Sequence, residues 1–166
     1  VATGTLPHGG RDIALTATEA ECRALALRFD IPAIESLAAS LHLAPLAQGR
    51  LRATGRLRAR VVQLCVVSLE PFAQEVEAPV ELIFVPRALL AEESDGGIDP
   101  DAPDEEPYDS DRVDLGEAVA QTLSLALDPW PRNPAAELPA GDGTGDGDDT
   151  PPVARSPFAV LARRRR

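Results

Sequence analysis

The chain has 166 residues, 44% hydrophobic content and a formal charge of −11, which suits one domain with unstructured segments around it. Its most apolar run, VVQLCVV (61–67), is far short of the ~20 residues a membrane helix needs. With no apolar leader at the N-terminus, and with Cys22 and Cys65 too far apart in sequence to form a ligand motif, a cytoplasmic protein with two reduced, buried thiols is expected.

The acidity is local. Residues 91–112 hold ten acids against Arg112, whereas residues 1–90 hold nine acids and nine arginines. The low pI therefore describes one segment, and a near-neutral folded body is expected. All sixteen basic residues are arginine, a coding bias that weakens any single arginine as a sign of function.

In LTATEAECRALALRFD, Thr18 with Glu21 fits a capping box, and Cys22, Leu25, Ala26 and Phe29 form one apolar stripe. A helix near 18–29 is expected, stopped at Ile31-Pro32 because a residue before proline is pushed out of the α region. AIESLAAS (33–40) has no clear assignment. LHLAPLA (41–47) suits an edge strand, where Pro45 is tolerated. His8 sits near a frayed terminus, and neither it nor His42 has a nucleophile or carboxylate in view.

From Arg50 the period becomes two. Arg50, Arg52, Arg56, Arg58 and Arg60 alternate with Leu51, Ala53, Leu57, Ala59 and Val61, predicting a half-buried strand, with Gly55 as a bulge or kink. VVQLCVVSL continues as a more buried strand, closed by EPF. QEVEAPVELIFVP alternates again, with Val76, Val80, Leu82 and Phe84 on one side and Glu75, Glu77 and Glu81 on the other. The centre is an antiparallel meander with one solvated face.

Residues 91–112 have almost nothing to bury and are expected to form a disordered acidic loop. Asp114 then caps a helix near 115–127, with Glu117 at the reciprocal position and Leu115, Val119, Leu123 and Ala126 as its stripe, ended by Asp128-Pro129. Residues 136–157 read as a disordered linker and 158–166 as a basic tail. The fold class is α+β: an antiparallel sheet with two packed helices in a domain spanning 1–135.

No nucleophile elbow, P-loop or dinucleotide fingerprint is present, and GDGTGDGDD lacks the frame of a calcium loop. Neither catalytic residues nor a cofactor are expected. On an unbroken strand the five arginines would make a rail about 30 Å long, able to follow a phosphate chain by bidentate contacts. The glutamates at 75, 77 and 81 have the same period and opposite charge, so cross-strand pairing is the competing reading. Trp130 either packs the DPWPR turn on the core or offers a stacking surface beside a phosphate anchor at Arg163–Arg166.

Three stretches carry a family resemblance. QLCVVSLEPF (with Cys65, Leu69, Glu70 and Pro71), the segment DLGE…DPWPR (Asp114, Leu115, Gly116, Glu117, Asp128, Pro129, Pro131 and Arg132) and the terminal PFAVLA together resemble the YceD family of large ribosomal RNA subunit accumulation proteins, from about Leu15 to Arg132 and again from Pro157. The resemblance implies a non-catalytic factor supporting synthesis, processing or stability of 23S rRNA, binding pre-ribosomal RNA or a protein on it. Alternatively the acidic loop, residues 91–112, holds a basic ribosomal protein without RNA contact; it could also shield the arginine face. Many relatives carry a cysteine where this chain has Ser68, and further cysteines after the second helix. Cys65 alone cannot hold the zinc that four thiolates would, so packing around Cys65 is expected in place of a metal.

Overall fold

Strict alternation over Leu51–Ala59 does what period-two patterning requires: Leu51, Ala53, Leu57, Ala59 and Val61 are buried while Arg52, Arg56, Arg58 and Arg60 are exposed. In the computed structural model, which describes residues 1–2, 6–90, 104–109 and 112–137, this strand is the middle of a five-stranded sheet. The elements are β1 (Arg11–Thr16), α1 (Glu19–Arg28), β2 (Ala33–Pro45), β3 (Leu51–Leu64), β4 (Pro71–Pro86), a helical turn α2 (Arg87–Leu90), β5 (Asp104–Tyr108) and α3 (Leu115–Ala126). All lie in one unit, Val1–Ala136; of the second, Glu137–Arg166, only Glu137 is described.

The strand order is β1-β2-β3-β4-β5. The first four strands form the expected antiparallel meander, and β5 adds to β4 in parallel. α1 packs against β2 and α3 against β4 and β3. Their stripes, Cys22 and Ala26 from α1 and Leu115, Val119 and Leu123 from α3, join Leu41, Leu43, Leu57, Val61, Val80 and Phe84 in the core. The opposite sheet face carries no helix among the described residues.

Both helix starts follow their sequence signals. Thr18 accepts the Glu21 N–H while Glu21 accepts the Thr18 N–H at 2.7 Å, a complete capping box. Those bonds, from the Thr18 backbone first and its hydroxyl second, hold the Glu21 carboxyl below its ordinary pKa. Asp114 accepts from the Gly116 and Glu117 N–H groups. Glu117, expected to reach back to its own cap, instead takes Arg28 of α1 in a bidentate pair at 2.7 and 2.8 Å. The guanidinium holds the Glu117 carboxyl below its usual range.

Several expectations are corrected. AIESLAAS and LHLAP form one strand, β2, which is interior; Pro45 fits because β1 pairs only as far as Leu43. Gly55 is no bulge: it pairs in register with Leu41 and Val80. The irregularity lies in β2, between Ile34 and Ser36. β3 runs unbroken to Leu64, and VVSL (66–69) belongs to the turn after it. β1 had no sequence assignment. The N-terminus is tied down, Val1 donating to the Val113 carbonyl at 2.6 Å and accepting the Val113 N–H.

Within the acidic segment, Asp104–Tyr108 is a strand rather than a loop; residues 91–103 and 110–111 lie outside the described residues, as do 138–166 with the expected linker and basic tail. Because β5 brings acids onto the sheet, the described residues carry seventeen acidic side chains against eleven arginines. The body is acidic in its own right.

Candidate functional site

The helix-free face of the sheet is built by the even-numbered residues of β3. Antiparallel register sets Arg58 opposite Glu77 and Arg60 opposite Glu75, with Glu81 opposite Thr54 and diagonal to Arg52. The charges close into pairs: Arg58–Glu77 at 3.0 Å, Arg60–Glu75 at 2.9 Å, Arg52–Glu81 at 2.8 Å and, from the edge strand, Arg50–Glu105 at 3.4 Å. The β2 irregularity turns Glu35 onto the same face, where it meets Arg60 at 2.6 Å. With two carboxylates on one guanidinium, Glu75 first and Glu35 second, the Arg60 pKa is raised.

Arg56 differs because β4 breaks its glutamate period there. Its register partners are Ser40 and Pro79, and no ion pair or side-chain hydrogen bond reaches it among the described residues. Exposed pairs of this kind are worth roughly 0.2–1 kcal/mol each. The consequence for binding is larger than for stability: the face presents five arginines beside six carboxylates, Asp12, Glu35, Glu75, Glu77, Glu81 and Glu105. Among the described residues, this face carries no excess of positive charge.

Asp12 enters through β1 and pairs with His42, Oδ1 to Nδ1 at 2.7 Å, a partner the sequence did not reveal. The imidazole packs over Gly10: a Cβ there would stand 2.5 Å from Nε2. Gly10 also has φ +78, a conformation favouring glycine. Among the described residues, no nucleophile is hydrogen-bonded to the second ring nitrogen, and the His42 side chain remains partly exposed.

A second constellation gathers the motif residues. After β3, the Cys65 N–H donates to the Glu70 carbonyl and the Leu69 N–H to the Cys65 carbonyl, closing a tight turn. Cys65 is fully buried, and its Sγ accepts backbone N–H groups from Val67 (3.4 Å), Ser68 (3.5 Å) and Asn133 (3.4 Å). The turn after α3 is stitched to it: the Val66 N–H reaches the Pro131 carbonyl at 2.9 Å, and Gln63, buried and hydrogen-bonded by Gln74, donates to the Asp128 carbonyl at 3.1 Å. Of the other motif residues, Pro71 opens β4, Leu115 enters the core, Pro131 is buried, and Glu70, Pro129 and Arg132 are exposed. Trp130 is 75% exposed, so it does not pack the turn onto the core.

The donors around Cys65 do not fit tetrahedral zinc. Among the described residues no three His, Cys, Asp or Glu side chains cluster closely enough for a metal, and a serine stands at 68. Instead the N–H groups favour the sulfur's charge: the Ser68 hydroxyl first, then the Ser68 N–H, bring the thiol down to about 7. Cys22, pushed up chiefly by burial, titrates above an ordinary thiol.

A depressed pKa in the fold means stability present above the free-thiol value, ~8.5, and lost as pH falls through about 7. The thermal midpoint of the wild type relative to Cys65→Ser should therefore be more favourable at pH 9 than at pH 6. Thiolate absorbance should rise in two separate steps, the lower near pH 7. A difference that does not change with pH would contradict this assignment.

The family model described as large ribosomal RNA subunit accumulation protein YceD matches residues 53–163, more than half of the chain. The match begins later than the expected Leu15, inside β3, and takes in the cysteine turn, β4 and α3. Neither a curated protein nor a solved structure matches. On that match, and on the stretches around Cys65, Asp114 and Asp128 lying within it, the chain belongs to the YceD family.

Proposed function

We propose that this protein is a non-catalytic cytoplasmic factor supporting synthesis, processing or stability of 23S rRNA in large-subunit biogenesis, and that it acts by holding a basic protein of the pre-ribosomal particle. The first half is supported by the family, whose description names large-subunit rRNA accumulation. The observation that supports the second is the pairing of the arginine face: a phosphate would have to displace a carboxylate from Arg52, Arg58 or Arg60. An acidic body and the carboxylates of residues 91–112 favour a basic partner instead. Direct RNA contact is the second reading and rests on Arg56, whose guanidinium has no carboxylate among the described residues.

The test is a parallel titration of the full chain with purified basic proteins of the large subunit and with 23S rRNA fragments at equal ionic strength. Binding to at least one of the proteins is expected, weakened when Glu92, Glu93, Asp95, Asp99 and Asp101 are replaced by their amides. Binding to RNA alone would overturn the reading.

A further inference from the structure

The end of β3 and the two stitched turns expose several large apolar side chains. Leu64, Val66, Leu69 and Trp130 are each about half exposed or more, reaching 76% at Leu69 and 75% at Trp130. They belong together: Val66 is itself the donor of the bond to Pro131, and Trp130 immediately precedes that acceptor. Single exposed leucines are ordinary; here Val66, Leu69 and Trp130 lie on two turns joined by a hydrogen bond, and Leu64 ends the strand that leads into them.

Leu69 adds an independent sign. Its φ is +59, a left-handed backbone that a side chain with Cβ adopts at a cost and that glycine or asparagine would relax. Exposure gives the leucine nothing back in the free protein. The turn bond from the Leu69 N–H to the Cys65 carbonyl holds this conformation, and strain of this kind clusters at binding and switch sites. The backbone at Trp130 is fixed: prolines flank it, and its backbone N–H donates to Asp128 Oδ1 at 2.8 Å. Charges around the patch are Glu70 and Asp128 against Arg132.

We propose that Leu64, Val66, Leu69 and Trp130 form the docking patch for a basic protein, whose apolar anchor covers Leu69 and Trp130 while its cationic side chains meet Glu70 and Asp128. The inference rests on the functional reading above and adds where the partner binds. A second copy of the chain would bring another −11 of charge. Single-stranded RNA would stack on Trp130 alone and meet two carboxylates for one guanidinium.

The test compares wild type with Leu69→Asn and Trp130→Gln, titrated with the purified basic large-subunit proteins singly and with a ten-nucleotide uridine strand, alongside sedimentation and thermal melting. Leu69→Asn is expected to melt at or above the wild-type temperature while both variants bind the protein partner at least tenfold more weakly. Unchanged affinity in the variants would overturn the patch and leave the functional reading standing, whereas no basic protein binding to wild type would end both. Uridine binding lost in Trp130→Gln, self-association lost in Leu69→Asn, or a clear drop in the Leu69→Asn melting temperature would each overturn the proposal.

Discussion

Replacing Gly55 by alanine should destabilise the protein by about 3 kcal/mol or more, a fall in thermal midpoint of roughly 10 °C. Gly55 sits in the middle of β3 between Leu41 and Val80. A Cβ at this position would stand 2.0 Å from the Ser40 carbonyl oxygen and 2.9 Å from the Leu41 Cα. Both are backbone atoms of the neighbouring strand, so no rotamer change relieves the overlap and β2 must move. Displacing β2 disturbs its pairing with β1 as well, since it is interior. Arg56→Ala, one residue along and exposed, is the control and should stay within about 0.5 kcal/mol. Denaturant titration of both variants checks the contrast; a cost below about 1 kcal/mol for Gly55→Ala would contradict the close approach.

Leu123→Ala should cost about 2–5 kcal/mol, the range for truncating a buried leucine in a core that cannot fully collapse. Leu123 is fully buried and shares the core with Leu115 and Val119 from the same helix. By contrast, Glu117→Gln, which breaks the bidentate pair to Arg28, should cost no more than about 1 kcal/mol because that pair lies in solvent. Urea midpoints of the two variants test the ordering: apolar contact, more than the ion pair to α1, fixes α3 in the fold. Equal losses would contradict it.

What the sequence made legible follows the strength of each local signal. β3, β4 and both long helices announce themselves because period two, period 3.6 and capping boxes are all short-range. β2 was obscured where its irregularity at Glu35 breaks the alternation between Ile34 and Leu37. β1 is a short edge strand whose apolar residues, Ile13 and Leu15, are only partly buried, and the helix-start pattern follows immediately. β5 could not be seen in composition, because what holds DEEPY is backbone pairing to β4 and the Tyr108 hydroxyl donating to the Gly49 carbonyl at 2.6 Å.

The candidate site divides in the same way. Opposite charges with a shared period were visible in Arg52–Arg60 and Glu75–Glu81, but whether they meet depended on β3 and β4 being neighbours. Glu35, Asp12 and Glu105 join the face through elements that lacked a clear strand signal. Asn133 reaches Cys65 from 68 residues away, a contact no local pattern encodes. The exposed position of Trp130 came from the same turn that buries Pro131.

In the proposed reading Arg52, Arg58 and Arg60 are held by the sheet's own carboxylates and do not form a phosphate rail. The salt dependence of binding to 23S rRNA fragments tests it most directly, measured for wild type and for a variant with Arg52, Arg58 and Arg60 replaced by alanine. A log–log slope near zero is expected for single-stranded fragments, the same in both proteins. A wild-type slope of roughly −3.5, the value for five arginine–phosphate contacts at about −0.7 each, falling to roughly −1.4 in the variant, would contradict it.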